Sequence, residues 1–124
     1  MDASDPVAIA TDFLQRAARG DVDAAWRHLA PGFLHHNPSI AGSADALKQA
    51  MAENAGRFPG KTLTARRVLR DGEQVMVLSE VHHVPGDAGY AVAHLFRFED
   101  GRIAELWDLA QAIPSPPVNA NGVF

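Results

Sequence analysis

A chain of 124 residues is sized for one domain with a single core, and so for one principal site. Its composition, 47% hydrophobic and 21% charged, excludes the weakly apolar, highly charged class of disordered chains. A net charge of -4, with Arg66 and Arg67 the only adjacent basic pair, excludes the positive footprint that nucleic-acid binding requires, and the lack of cysteine excludes disulfides, thiolate metal sites and thiol nucleophiles.

The N-terminal stretch MDASDPVAIATDF has no basic region followed by an apolar run, and nothing approaches the ~18 apolar residues of a membrane span. The default expectation is a soluble cytoplasmic protein without a membrane partner.

Asp5 and Pro6 open a first helix, because aspartate can cap free amides and proline is pre-set for the first turn. Ile9, Phe13, Leu14 and Ala17 recur at helical spacing until Gly20. Asp21 is placed to cap a second helix carrying Val22, Ala25, Trp26 and Leu29, ended by Pro31 and Gly32. Phe33 to Asn37 reads as a short extended piece closed by Pro38. Ser43 opens a third helix with Leu47, Ala50, Met51, Asn54 and Phe58, stopped before Pro59 and Gly60.

From Lys61 onward the pattern becomes β: Thr62 to Leu69, Gln74 to Val84, Tyr90 to Phe98 and Arg102 to Ile113, separated by Asp-Gly or Pro-Gly-Asp turns. Helices followed by a meander of long strands give an α+β order, and strands of that length coil strongly. The expected architecture is a conical barrel: a strongly curved, mostly antiparallel sheet wrapped around three N-terminal helices, leaving a hollow. A single domain spans 1–124, with 114–124 a Pro/Asn-rich arm.

Alternation along the strands assigns faces. Tyr90, Val92, His94, Phe96 and Phe98 point one way, which sets His94 among apolar neighbours. On the last strand Ala104, Leu106, Asp108 and Ala110 share a face that carries only one charge. Whether these two faces coincide depends on the turn. A three-residue loop, Glu99-Asp100-Gly101, pairs His94 with Leu106 and makes Asp108 its diagonal neighbour; a two-residue Asp100-Gly101 turn pairs His94 with Trp107 and sends Asp108 to the other side. Inside a hollow, a carboxylate withdrawn from water is a stronger base, and an imidazole beside it can polarise a carbonyl or return a proton. A plain structural pairing of the two groups is the alternative.

Glu80, which shares a face with Met76, Leu78 and His82, is a further pocket candidate. Trp26 and Phe13 sit on helical apolar stripes as core or pocket wall. His35 and His36, like His82 and His83, point to opposite sides, so at most one of each pair can enter. No HxH or HExxH spacing supports a metal site.

The run HLFRFEDGRIAELWDLAQAIP, with HHNP after the second helix and the closing NANGVF, resembles the SnoaL-like polyketide-cyclase branch of the nuclear-transport-factor-2-like superfamily. The resemblance covers nearly the whole chain. It implies the cystatin-like cone, a homodimer packed through the outer sheet face, a small-molecule ligand and no cofactor. It also implies an aspartate on the last strand as acid/base in an aldol ring closure, assisted by a histidine on the preceding strand; these positions match Asp108 and His94. His36 and Asn37 match the family's HNP, as pocket-rim or structural residues. Tyr90, Phe96 and Leu106, on the faces of His94 and Asp108, are further ligand-binding candidates. The expected activity is a cofactor-independent cyclase, isomerase or lyase on a small, largely apolar carbonyl compound. The alternative is a non-catalytic ligand-binding or dimerisation module.

Overall fold

The structure, a computed structural model, describes residues 5–124. Its elements are α1 (Pro6–Arg19), α2 (Val22–Trp26), β1 (Leu29–His35), α3 (Ala44–Arg57), β2 (Thr62–Asp71), β3 (Gln74–His82), β4 (Tyr90–Glu99) and β5 (Arg102–Ala112). The sheet runs β1-β5-β4-β3-β2, with β1 parallel to β5 and every other pair antiparallel. The fold is the expected α+β cone, with the sheet left open and β1 and β2 as its edges.

Helix boundaries follow local chemistry. Asp5 Oδ1 accepts the Val7 N–H at 2.8 Å with Pro6 in the first turn. Ser43 Oγ accepts the Ala46 N–H at 3.0 Å and starts α3. Gly20 ends α1 at φ 85, where its N–H reaches the Ala17 and Arg16 carbonyls. A Cβ there would meet the Ala55 Cβ at 3.1 Å, so glycine serves both the left-handed turn and the close passage of α3.

The second helix is shorter than the sequence pattern predicts. Asp21 makes no side-chain cap and instead accepts from Arg16 Nη1 at 2.9 Å. Leu29 has already left the helix, because pairing with Ile103 draws it into β1; the Ile103 N–H donates to the His28 carbonyl at 2.9 Å. Long-range strand pairing overrides a helical apolar spacing here.

The core fills the narrow end of the cone. Phe13, Phe96, Phe98, Leu47, Ile103 and Leu106 are all fully buried, and Phe13 packs edge-on to Phe96 with centroids 5.9 Å apart. Removing one such aromatic side chain costs about 3–5 kcal/mol. The wide end is left hollow, and that is where the polar groups collect. Residues 114–124 form no helix or strand, and the Phe124 ring lies 5.7 Å from the Arg66 guanidinium of edge strand β2. No helix among the described residues is long and apolar enough to cross a membrane.

Candidate active site

The hairpin between β4 and β5 decides which side chains face the hollow. The turn is the two-residue Asp100-Gly101, with φ 50 and 78 and Glu99 paired to Arg102; two positive φ values match the primed turns favoured in tight hairpins. By itself this turn would set His94 against Trp107. The register then shifts between Arg97 and Phe98: Phe98 pairs with Ile103 but Arg97 with Glu105, so Ala104 is an extra, bulged residue. The bulge restores the parity, and His94 stands directly opposite Asp108. Of the two turns read from the sequence the two-residue one forms, but not with the register expected of it. A two-residue turn plus a bulge gives the shared face that a three-residue loop was expected to give.

His94 and Asp108 line a cavity of about 420 Å³ bounded by α1, α3 and the inner sheet face. Depth follows strand position. Tyr90 stands at the rim, Val92 and Ala110 form the wall, His94 and Asp108 lie near the floor, and Phe96 with Leu106 close the cone beneath. Four residues of strand separate rim from floor, about 13 Å at the usual rise.

Two polar atoms near this floor, His94 Nδ1 and Asp108 Oδ1, are buried without a hydrogen-bond partner. The imidazole and carboxylate therefore do not satisfy each other, although they are cross-strand neighbours. Burial, only partly opposed by the Asp108 charge and reinforced by Lys61, pushes the His94 pKa down. Its ring is neutral at pH 7, with one nitrogen a donor and the other an acceptor.

The second carboxylate oxygen is held. Asp108 Oδ2 accepts from Asn37 Nδ2 at 3.0 Å, and Asn37 Oδ1 in turn accepts the Ser39 N–H at 2.9 Å. His35 Nδ1 accepts the Asn37 N–H at 3.2 Å, while its Nε2–H donates to the Ala41 carbonyl at 2.8 Å. The buried His35 thus orders the loop that carries Asn37, and Asn37 fixes one oxygen of Asp108 while leaving the other free.

At the mouth, Lys61, His83 and Tyr90 complete the lining. Lys61 Nζ donates to Asn54 Oδ1 at 2.7 Å, and burial lowers its pKa. His83 sits between Phe58 and Tyr90, with centroids 4.7 and 5.3 Å away; burial first, then the Lys61 charge, lowers its pKa as well. Of the pair His82 and His83, only one of which could enter by alternation, His83 is the one that does, and Lys61 is not among the sequence candidates. Alternation from inward-facing Val81, two residues before, selects His83, while nothing local marks Lys61.

Several sequence expectations are corrected. Glu80 lies on the outer sheet face, since the inward residues of β3 are Val75, Val77, Ser79 and Val81; it pairs with Arg66 and His82. His36 also lies outside, stacked on Trp107 at 4.8 Å and bonded to Glu105, so of the HNP run only Asn37 reaches the cavity. Phe96, Leu106 and Phe13 face inward but are consumed by the core beneath the floor. Trp26 packs on Phe13 and lines a separate shallow hollow beside β1.

The fold and pocket define a class: cone-shaped α+β domains with a half-open cavity at the wide end. Residues 10–106 match the SnoaL-like domain model, and the chain belongs to that family. Its fold is shared by AclR of Streptomyces galilaeus, a proposed hydroxylase, at TM-score 0.75 and 18% identity over 89% of this chain and 81% of that one. It is shared also by a proposed polyketide cyclase from Bacillus cereus, at TM-score 0.73 and 18% identity over 86% and 74%. A cystatin-fold protein from Novosphingobium aromaticivorans superposes at TM-score 0.72 with 13% identity over 84% and 97%. No curated protein matches the sequence.

Proposed function

We propose that this SnoaL-like chain is a cofactor-independent acid/base enzyme that removes a proton from carbon next to a carbonyl in a small, largely apolar compound. Asp108 Oδ1 takes the proton and, as the carboxylic acid so formed, returns it at another carbon, while the neutral His94 ring donates a hydrogen bond to the enolate oxygen that develops. The observation that carries this reading is the pair of buried, unpartnered atoms on directly opposed residues. Buried polar groups without partners are rare and costly, and they concentrate where a ligand or a reacting group completes them. The polyketide-cyclase description attached to the Bacillus cereus neighbour fits the same chemistry, since ring closure by aldol addition begins with an enolate.

The test is deuterium uptake from heavy water into the α-carbons of a panel of aromatic and β-dicarbonyl ketones. Uptake with the wild-type protein and none with Asp108→Asn supports the reading. Ligand binding across the panel with no exchange favours a binding module instead.

The outer sheet face supports a homodimer. Cross-strand register aligns Trp107, Leu95, Met76 and Leu69 in one apolar row, with Leu109 beside it 73% exposed. A contiguous apolar face of this kind is a pairing surface for a second copy.

A further inference from the structure

Lys61 is the only lysine or arginine among the residues lining the cavity. Its ammonium donates to a neutral partner, the Asn54 amide oxygen, and among the described residues it takes part in no salt bridge. A cation held in a mostly apolar hollow with no carboxylate in ion-pair range, the cavity's one carboxylate being Asp108 on the floor, is electrostatically incomplete. The lowered pKa of Lys61, caused by burial, reports the same cost.

We infer that the mouth of the cavity is an anion subsite, and that the substrate is two-ended: a carboxylate bound by Lys61 at the rim, and a carbonyl delivered to His94 and Asp108 below. The proposal rests on the acid/base reading and adds the substrate class to it. The two ends cannot exchange places. Asp108 repels a carboxylate from the floor, and Lys61 sits where β2 begins, level with the rim residues Tyr90 and His83 rather than with the floor. Between the ends, Val92, Ala110, Leu14 and Met51 offer only apolar wall, which suits an aromatic or hydrocarbon spacer. Asn54 keeps the ammonium aimed while leaving two of its three N–H groups for a ligand.

A rigid probe pair separates the charge from everything else. 4-Acetylbenzoate carries a carboxylate, an aromatic spacer and a methyl ketone, and methyl 4-acetylbenzoate differs only in lacking the charge. By titration calorimetry at low salt, the wild-type protein is expected to bind the carboxylate about 10-fold or more tighter than the ester, the scale of one charge-assisted hydrogen bond in a sheltered site. Lys61→Met should erase that preference while ester binding persists, and Lys61→Arg should retain part of it. Lys61→Gln gives a second neutral variant should the methionine disturb folding, and circular dichroism checks both. Equal binding of acid and ester, failure of both to bind, or a preference that survives in Lys61→Met and Lys61→Gln overturns the subsite. Deuterium uptake at the acetyl methyl is read separately. Its absence alongside a Lys61-dependent carboxylate preference would overturn the acid/base reading and leave the anion subsite standing.

Discussion

Asn37 and Asp108 are 71 positions apart in sequence and joined by a 3.0 Å hydrogen bond. The bond fixes Oδ2 of the carboxylate and leaves Oδ1 buried and unpartnered, on a residue directly opposite His94. A base that acts on carbon needs one oxygen held and one free, because rotation of the carboxyl would otherwise cost orientation at each turnover.

Asn37→Leu therefore tests a positioning role. Turnover should fall about 10- to 100-fold, the scale of a hydrogen bond to a charged group, with KM changed less than threefold. A loss confined to KM would mean that Asn37 acts on substrate binding rather than on the base.

Asp108→Asn should remove α-proton exchange altogether while leaving the melting temperature within a few degrees. The amide has the same shape and can still accept from Asn37 through its oxygen. Residual exchange above a tenth of wild type would show another base at work.

His94 makes stability depend on pH. Its folded-state pKa is lowered from 6.5 to about 4 by burial, so between these values the unfolded chain binds a proton that the folded chain refuses. Stability contributed this way is complete above pH 6.5 and is lost as pH falls toward 4, by on the order of 2–3 kcal/mol. Urea unfolding of wild type and His94→Leu at pH 7.5 and 5 checks the sign. The variant should lose distinctly less stability on acidification, and equal losses would contradict the buried neutral imidazole.

Glu80→Gln should leave exchange activity unchanged, since the side chain faces away from the cavity. It should lower the pKa of His82, which its hydrogen bonds to Glu80 first and Asp87 second hold above the usual histidine value. An NMR titration of His82 reads this directly. Any loss of turnover would place Glu80 in the site after all.

Leu109→Arg should convert a two-chain particle to one chain in sedimentation at micromolar concentration, because it sets a charge in the exposed apolar face. A wild-type protein that already sediments as one chain defeats the dimer.

Local pattern was enough for much of this protein. Caps at Asp5 and Ser43, the stop at Gly20, the period-2 alternation of β3 and β4, and the inward direction of His94 all depend on residues within a few positions of one another, and they read directly from the sequence. Tertiary structure decided the rest. Leu29 belongs to β1 because its partner Ile103 lies far along the chain. Glu80 and His36 face outward because the sheet curls about helices that no strand pattern specifies. Asp108 meets His94 through a single bulged residue, Ala104, since one residue more or less reverses every side chain beyond it. Lys61 enters the cavity only when the chain between α3 and β2 is folded over the mouth. Short-range chemistry sets the elements and their faces; pairing and curvature, which are long-range, determine which faces enclose the site.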